Sequence, residues 1–170
     1  MTRMIRDQIV ALLICGLASC TLVSKPAPLQ YGPPSLWRDG RVTLEKLRSY
    51  SWKPATDEGL EGDSLSMAAE VVQGLRKEIV ENLASCYRLK TEGTVDFWVS
   101  FRLASPAATE KASHAGPRLV ISVGLPGTDH PAWTSEIEVP PDFATMGHPT
   151  ETIVHDLLLA FPNGNPRQCR

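Results

Sequence analysis

Residues 68–86, Ala-Ala-Glu-Val-Val-Gln-Gly-Leu-Arg-Lys-Glu-Ile-Val-Glu-Asn-Leu-Ala-Ser-Cys, carry the clearest periodic pattern in the chain. Ala68, Val72, Leu75, Ile79, Leu83 and Cys86 recur at steps of three and four, which sets them on one stripe of an α-helix. Glu70, Gln73, Lys77 and Glu81 take the opposite side. The spacing predicts a helix over residues 64–87, with Asp63 or Ser64 able to cap its start. Gly74 costs such a helix about 1 kcal/mol relative to alanine. Its bare backbone suits close packing against a strand. A helix with one apolar stripe must bury it, so the surrounding sequence has to supply a sheet.

It does so on both sides. Residues 95–102 alternate, Val95, Phe97, Val99 and Phe101 against Asp96, Trp98, Ser100 and Arg102, the period of a half-buried strand. Residues 118–123 form a short, nearly continuous apolar strand. Residues 132–139 alternate again, Trp133, Ile137 and Val139 against Thr134, Glu136 and Glu138, and Pro140 and Pro141 stop them. Upstream, residues 44–52 read as a first strand with its large residues on one face, followed by an acidic, glycine-bearing loop at 57–63. Residues 103–117, rich in alanine and serine, read as a connection, and 124–131 supply turn chemistry. Pro149 sits where helices begin, and Ile153, Val154, Leu157, Leu158 and Phe161 mark a short amphipathic helix closed by Pro162. The expected order is β-α-β-β-β-α. Short turns between the last three strands favour antiparallel pairing. The fold class is therefore α+β: two layers, an antiparallel or mixed sheet of about four strands, and two helices on one face.

The N-terminus has a different character. Arg3 and Arg6 precede the apolar run 9–17, which Arg6, Asp7 and Gln8 leave too short to span a bilayer. Basic, then apolar, then small residues is the order of a secretory signal. Its end, Leu17-Ala18-Ser19-Cys20, resembles a bacterial lipobox, in which the cysteine is acylated and the preceding peptide removed. The resemblance implies lipidation at Cys20, and Thr21 in place of an aspartate implies the outer membrane. Residues 1–19 are then a lipoprotein signal peptide. Residues 20–43, with Pro26, Pro28, Pro33 and Pro34, are a lipidated cysteine and a proline-rich tether, in which Tyr31, Leu36 and Trp37 can dock on the domain or on a partner. Residues 44–163 form the domain and 164–170 a C-terminal tail.

Removing residues 1–19 takes Arg3, Arg6 and Asp7, which leaves 15 basic and 18 acidic residues, net −3. A mildly acidic surface offers no footprint for nucleic acid and no polybasic patch for anionic lipid. Of four cysteines, Cys15 lies in the signal and Cys20 is the lipid site. Cys86 and Cys169 remain, in a compartment that permits disulfides. They are either bridged, pinning the tail to the end of the long helix, or a buried thiol and a frayed one.

Tyr50-Ser51-Trp52-Lys53-Pro54 resembles the T-Y-x-W-x-P opening of a bacterial lipoprotein family known as domain of unknown function 4136. The end of the long helix at 83–88 is similar to that family's G-Y/F-R closure, and residues 95–101 to its D-x-x-V-x-Y/F strand. Residues 119–123 with Ala132-Trp133, and Leu157 to Phe161-Pro162, resemble its later strand pair and closing helix. Cys86 stands at the family's glycine, and Thr134-Ser135 at its W-x-G. The resemblance implies an envelope location and an α+β fold, and no activity.

Candidate chemistry is sparse. Asp129-His130 and His155-Asp156 could contribute to a metal site, but no two histidines are paired at i, i+4 on one helix. Ser113-His114 lies in the expected connection, no G-x-S-x-G motif is present, and no glycine-rich loop opens a helix. The expectation is thus no enzyme, no cofactor and no metal. Asp96 is expected to face outward or to cap a neighbouring amide. Tyr50, Trp52, Trp98 and Trp133 are core, rim or partner-binding residues, and the alternation puts Trp98 and Trp133 on different faces. An exposed tryptophan together with Tyr50 or Trp37 would anchor a partner. The sequence therefore points to a non-catalytic, outer-membrane-anchored periplasmic lipoprotein serving as an envelope interaction or scaffold module. Its partners would be the membrane, through the lipid, and an envelope protein. The alternative is a periplasmic small-ligand or metal-binding module.

Overall fold

The computed structural model describes residues 31, 33–53, 64–105, 116–145 and 150–162. Among these the chain is mixed α/β, with two helices and a seven-stranded mixed sheet. The strands are β1 (Ser35–Arg38), β2 (Ser49–Trp52), β3 (Ser64–Leu65), β4 (Arg88–Leu89), β5 (Phe97–Ala104), β6 (Arg118–Gly124) and β7 (Pro131–Glu138). The helices are α1 (Ala69–Leu83) and α2 (Thr150–Leu158). A single 3-10 turn, Leu44–Lys46, leads into β2.

The sheet order is β1-β7-β6-β5-β2-β4, with β3 paired to β5 off that path. β5, β6 and β7 form the antiparallel meander that the short turns require. β2 runs parallel to β5 and to β4. A parallel pair needs a long crossover, and α1 supplies it between β2 and β5. The sheet is therefore mixed and wider than the expected four strands. The additions are short: β3 and β4 are two residues each, below the length at which periodicity registers.

Two boundaries move for physical reasons. Residues 64–65 pair with β5 instead of opening the helix, so α1 starts at Ala69, and its N-cap, Ala68, makes no side-chain hydrogen bond. Its buried stripe is Val71, Leu75, Ile79 and Leu83, with Val71 in the place expected for Val72. Ser35–Arg38, within the stretch expected to be tether, is an edge strand antiparallel to β7.

The core gathers side chains from both helices and one sheet face. Leu75, Ile79, Leu83, Ile153, Val154 and Leu157 meet Phe97, Val99, Leu103, Leu119, Ile121, Val123, Trp133 and Ile137 in one cluster. Register explains the set: Val99, Val123 and Trp133 lie side by side across β5, β6 and β7, as do Leu103, Leu119 and Ile137. The alternate positions, Trp98, Ser100, Arg102, Ser122, Thr134 and Glu136, belong to the opposite face. Gly74 packs against Thr150 at the start of α2, rather than against a strand.

Candidate functional site

The four aromatic candidates separate according to the face of the sheet they occupy. Tyr50 and Trp133 are fully buried and cannot meet a partner. Tyr50 stacks on Phe97, with centroids 5.6 Å apart, and Trp133 meets Phe161 at 5.0 Å. The expectation that these two bind a partner is corrected: both point to the face that the helices cover. Trp52 is half-buried, edge-on to Tyr50 and Phe101, and the Arg76 guanidinium lies 5.4 Å from its ring centre. Trp98 is half-buried on the opposite face, so it and Trp133 do lie on different faces.

Among the described residues the exposed aromatic is Trp37. It and Leu36 are each 51% exposed, on the edge strand β1. Trp37 lies opposite Thr134, and Thr134 opposite Ser122, which in turn is opposite Ser100. Trp37 therefore shares the face of Trp98, and Leu36 takes the helix side of the same edge. The strip between the two tryptophans is polar. Ser122 Oγ and Thr134 Oγ1 are 3.4 Å apart. Glu136 accepts hydrogen bonds from Arg118 Nη1 at 2.9 Å and Ser35 Oγ at 3.1 Å, which ties β1 to β7 and β6. At the end of β1, Arg38 Nη2 donates to Glu45 at 2.7 Å. The Asp39 carboxylate accepts from the Arg41 backbone N–H at 2.9 Å, and this bond, aided by the Arg41 charge, holds its pKa below the usual value.

Exposure of β1 was foreshadowed by Leu36 and Trp37 as apolar residues amid prolines. Its pairing with β7 carries no local signal, because all four residues are exposed and no alternation arises.

Asp96 is a structural acceptor. Its Oδ2 takes hydrogen bonds from Arg48 N at 3.0 Å, Ser49 N at 2.8 Å and Ser49 Oγ at 2.9 Å. Those bonds, the Arg48 amide first, hold its pKa below the ordinary aspartate value. Burial pushes the Tyr50 hydroxyl up to about 12. Neither that hydroxyl nor Trp133 Nε1 has a hydrogen-bond partner among the described residues.

Among the described residues no group of three His, Cys, Asp or Glu side chains is placed to hold a metal. His130 lies in the connection between β6 and β7, and His155 sits on α2. His114 and His148 lie outside the described residues, as do Cys20, Cys169, the signal and the tail. No described helix is long and apolar enough to cross a membrane. Cys86 is half-buried against the core and its sulfur is in a disulfide. No family model matches the chain, and neither a curated protein nor a solved structure does.

Proposed function

We propose that this chain is an exported lipoprotein of the bacterial envelope, lipidated on Cys20, held at the outer membrane facing the periplasm, and acting as a non-catalytic interaction module. The observation that carries this proposal is Leu17-Ala18-Ser19-Cys20 placed after a basic and then an apolar segment. The family resemblance of residues 44–163, including the two-layer α+β arrangement it implies, supports the same location. The partner-binding surface is the β1 edge. Trp37 and Leu36 combine large apolar side chains with a strand edge that is unpaired among the described residues, where backbone N–H and C=O groups can pair with another chain. An anchor plus a tether raises the local concentration of that edge near an envelope protein without adding any contact.

Crosslinking in intact cells, with mass measurement of the recovered chain, tests this. Wild type should carry acyl mass on Cys20 and form a discrete adduct with an envelope protein. Cys20→Ala should leave the membrane fraction and lose the adduct. Trp37→Ala should keep the lipid and weaken the adduct at least about tenfold, as truncating an interface anchor does. Unchanged mass and fractionation in Cys20→Ala would refute the anchor. An adduct indifferent to Trp37→Ala and Leu36→Ser would refute the surface.

A further inference from the structure

We infer that the disulfide partner of Cys86 is Cys169, and that the bridge staples the C-terminal tail to the end of α1. Cys86 is the only cysteine among the described residues and is disulfide-bonded, so its partner is Cys15, Cys20 or Cys169. The neighbouring contacts favour the last. Tyr87, the next residue, donates its hydroxyl to the backbone carbonyl of Pro162. Its ring lies 5.6 Å from that of Phe161. The chain is thus delivered beside Cys86 just before the tail begins. Six residues separate Pro162 from Cys169, seven steps along the chain. They can span up to about 25 Å, ample for a return to a sulfur one residue from Tyr87. The N-terminal cysteines belong to the stretch of sequence before β1. Residues 1–30 precede β1, and β1 and β4 are opposite ends of the sheet path, roughly 24 Å apart at the usual strand spacing. β4 begins two residues after Cys86.

The inference rests on the proposed export in one respect, the oxidising compartment. There a disulfide donor of the thiol–disulfide oxidoreductase class exchanges with the two thiols. The Cys86–Cys169 sulfur–sulfur bond forms, the donor's own disulfide is reduced to a dithiol, and the two electrons and two protons pass to it. The pairing has a consequence for the anchor. With Cys86 and Cys169 joined, neither is left to pair with Cys20, which stays open to acylation.

The test begins with the full chain recovered from cells under alkylating conditions and digested with trypsin without reduction. The expected species joins residues 78–88 to residues 168–170. A Cys86 peptide linked to one containing Cys20 or Cys15 would overturn the assignment. The same chain, reduced and then reoxidised in a glutathione buffer, is mapped in parallel. If both cysteines are alkylated in cells but pair with each other on reoxidation, the pairing stands and the export reading fails. If both stay alkylatable after reoxidation, the pairing itself is wrong. Cys169→Ser should free Cys86 for labelling and lower the melting temperature by about 10 °C, the scale for losing a bridge that closes a loop of roughly eighty residues. Acylation at Cys20 should be unchanged.

Discussion

Trp133 meets Phe161 edge to face, with ring centroids 5.0 Å apart and planes at 67°. Phe161 follows α2 and also touches Phe97 at 5.9 Å and Tyr87 at 5.6 Å. One ring thereby joins β7, β5, the segment between α1 and β4, and the segment that follows α2. Phe161→Ala should cost about 3–5 kcal/mol, the range for removing a fully buried phenylalanine. Denaturant unfolding measures this, and Trp133 fluorescence should shift to the red as water reaches the indole. A loss below 1 kcal/mol would mean that the cluster is not the keystone of the helix–sheet junction.

Asp96 fastens β2 beside β5 by accepting from the Arg48 and Ser49 amides and the Ser49 hydroxyl. Its folded pKa is depressed, chiefly by the Arg48 amide. Its contribution is therefore complete above the unfolded-state value near 3.8 and is lost as pH falls through the lower folded value. Asp96→Asn keeps the shape but weakens the acceptor, and should cost about 1 kcal/mol at neutral pH. The wild-type advantage should shrink below pH 4. Stability of both chains across pH 2 to 7 checks the sign, and an advantage that grows in acid would contradict it.

Tyr50 gives the opposite pH behaviour. Its hydroxyl is buried and without a partner among the described residues, and burial raises its pKa to about 12. The neutral form is the one that fits, so the associated stability is whole below the unfolded value of 10.0 and is lost as pH rises towards 12. Tyr50→Phe removes only a group that gains nothing from the fold. It should change stability by less than about 1 kcal/mol, or increase it, and extend the alkaline range. Following tyrosinate absorbance with secondary structure above pH 9 tests both. A large loss in Tyr50→Phe would show that the hydroxyl is bonded after all.

Elements with one face on the common core were legible in the sequence. α1, β5, β7 and α2 each bury alternate or three-and-four-spaced residues against the same cluster, so their periodicity reports it. β1 was not legible, because it is held by ladder bonds to β7 and by Ser35 and Arg118 around Glu136, none of which leaves a local pattern. β3 and β4 were missed because two residues cannot show a period. The parallel placement of β2 is a matter of where α1 returns the chain, which is a tertiary fact. The candidate surface follows the same division. Alternation correctly parted Trp98 from Trp133, but which face the helices cover decides which aromatics remain open. Tyr50 and Trp133 lie on the covered face, and Trp37 on an exposed edge.

Two glycines should respond oppositely to alanine. At Gly74, within α1, a new Cβ would lie 3.4 Å from Thr150 Oγ1 and 3.7 Å from Thr150 Cγ2, ordinary contact distances. Alanine there restores helix propensity without a clash, and Gly74→Ala should stabilise by about 0.5–1 kcal/mol. At Gly116 a Cβ would sit 2.5 Å from the Val139 carbonyl oxygen, which is backbone and cannot swing aside. That carbonyl belongs to a residue tied to the same segment, for Val139 N donates to Pro117 O at 2.9 Å, and Gly116 N donates to Glu138 Oε1 at 2.6 Å. Gly116→Ala must push the β6 entry away from the end of β7, at a cost of about 1–3 kcal/mol. Thermal melts of the two variants beside wild type give the comparison. If Gly74→Ala were the destabilising one, the α1–α2 contact at Thr150 would be tighter than these distances allow.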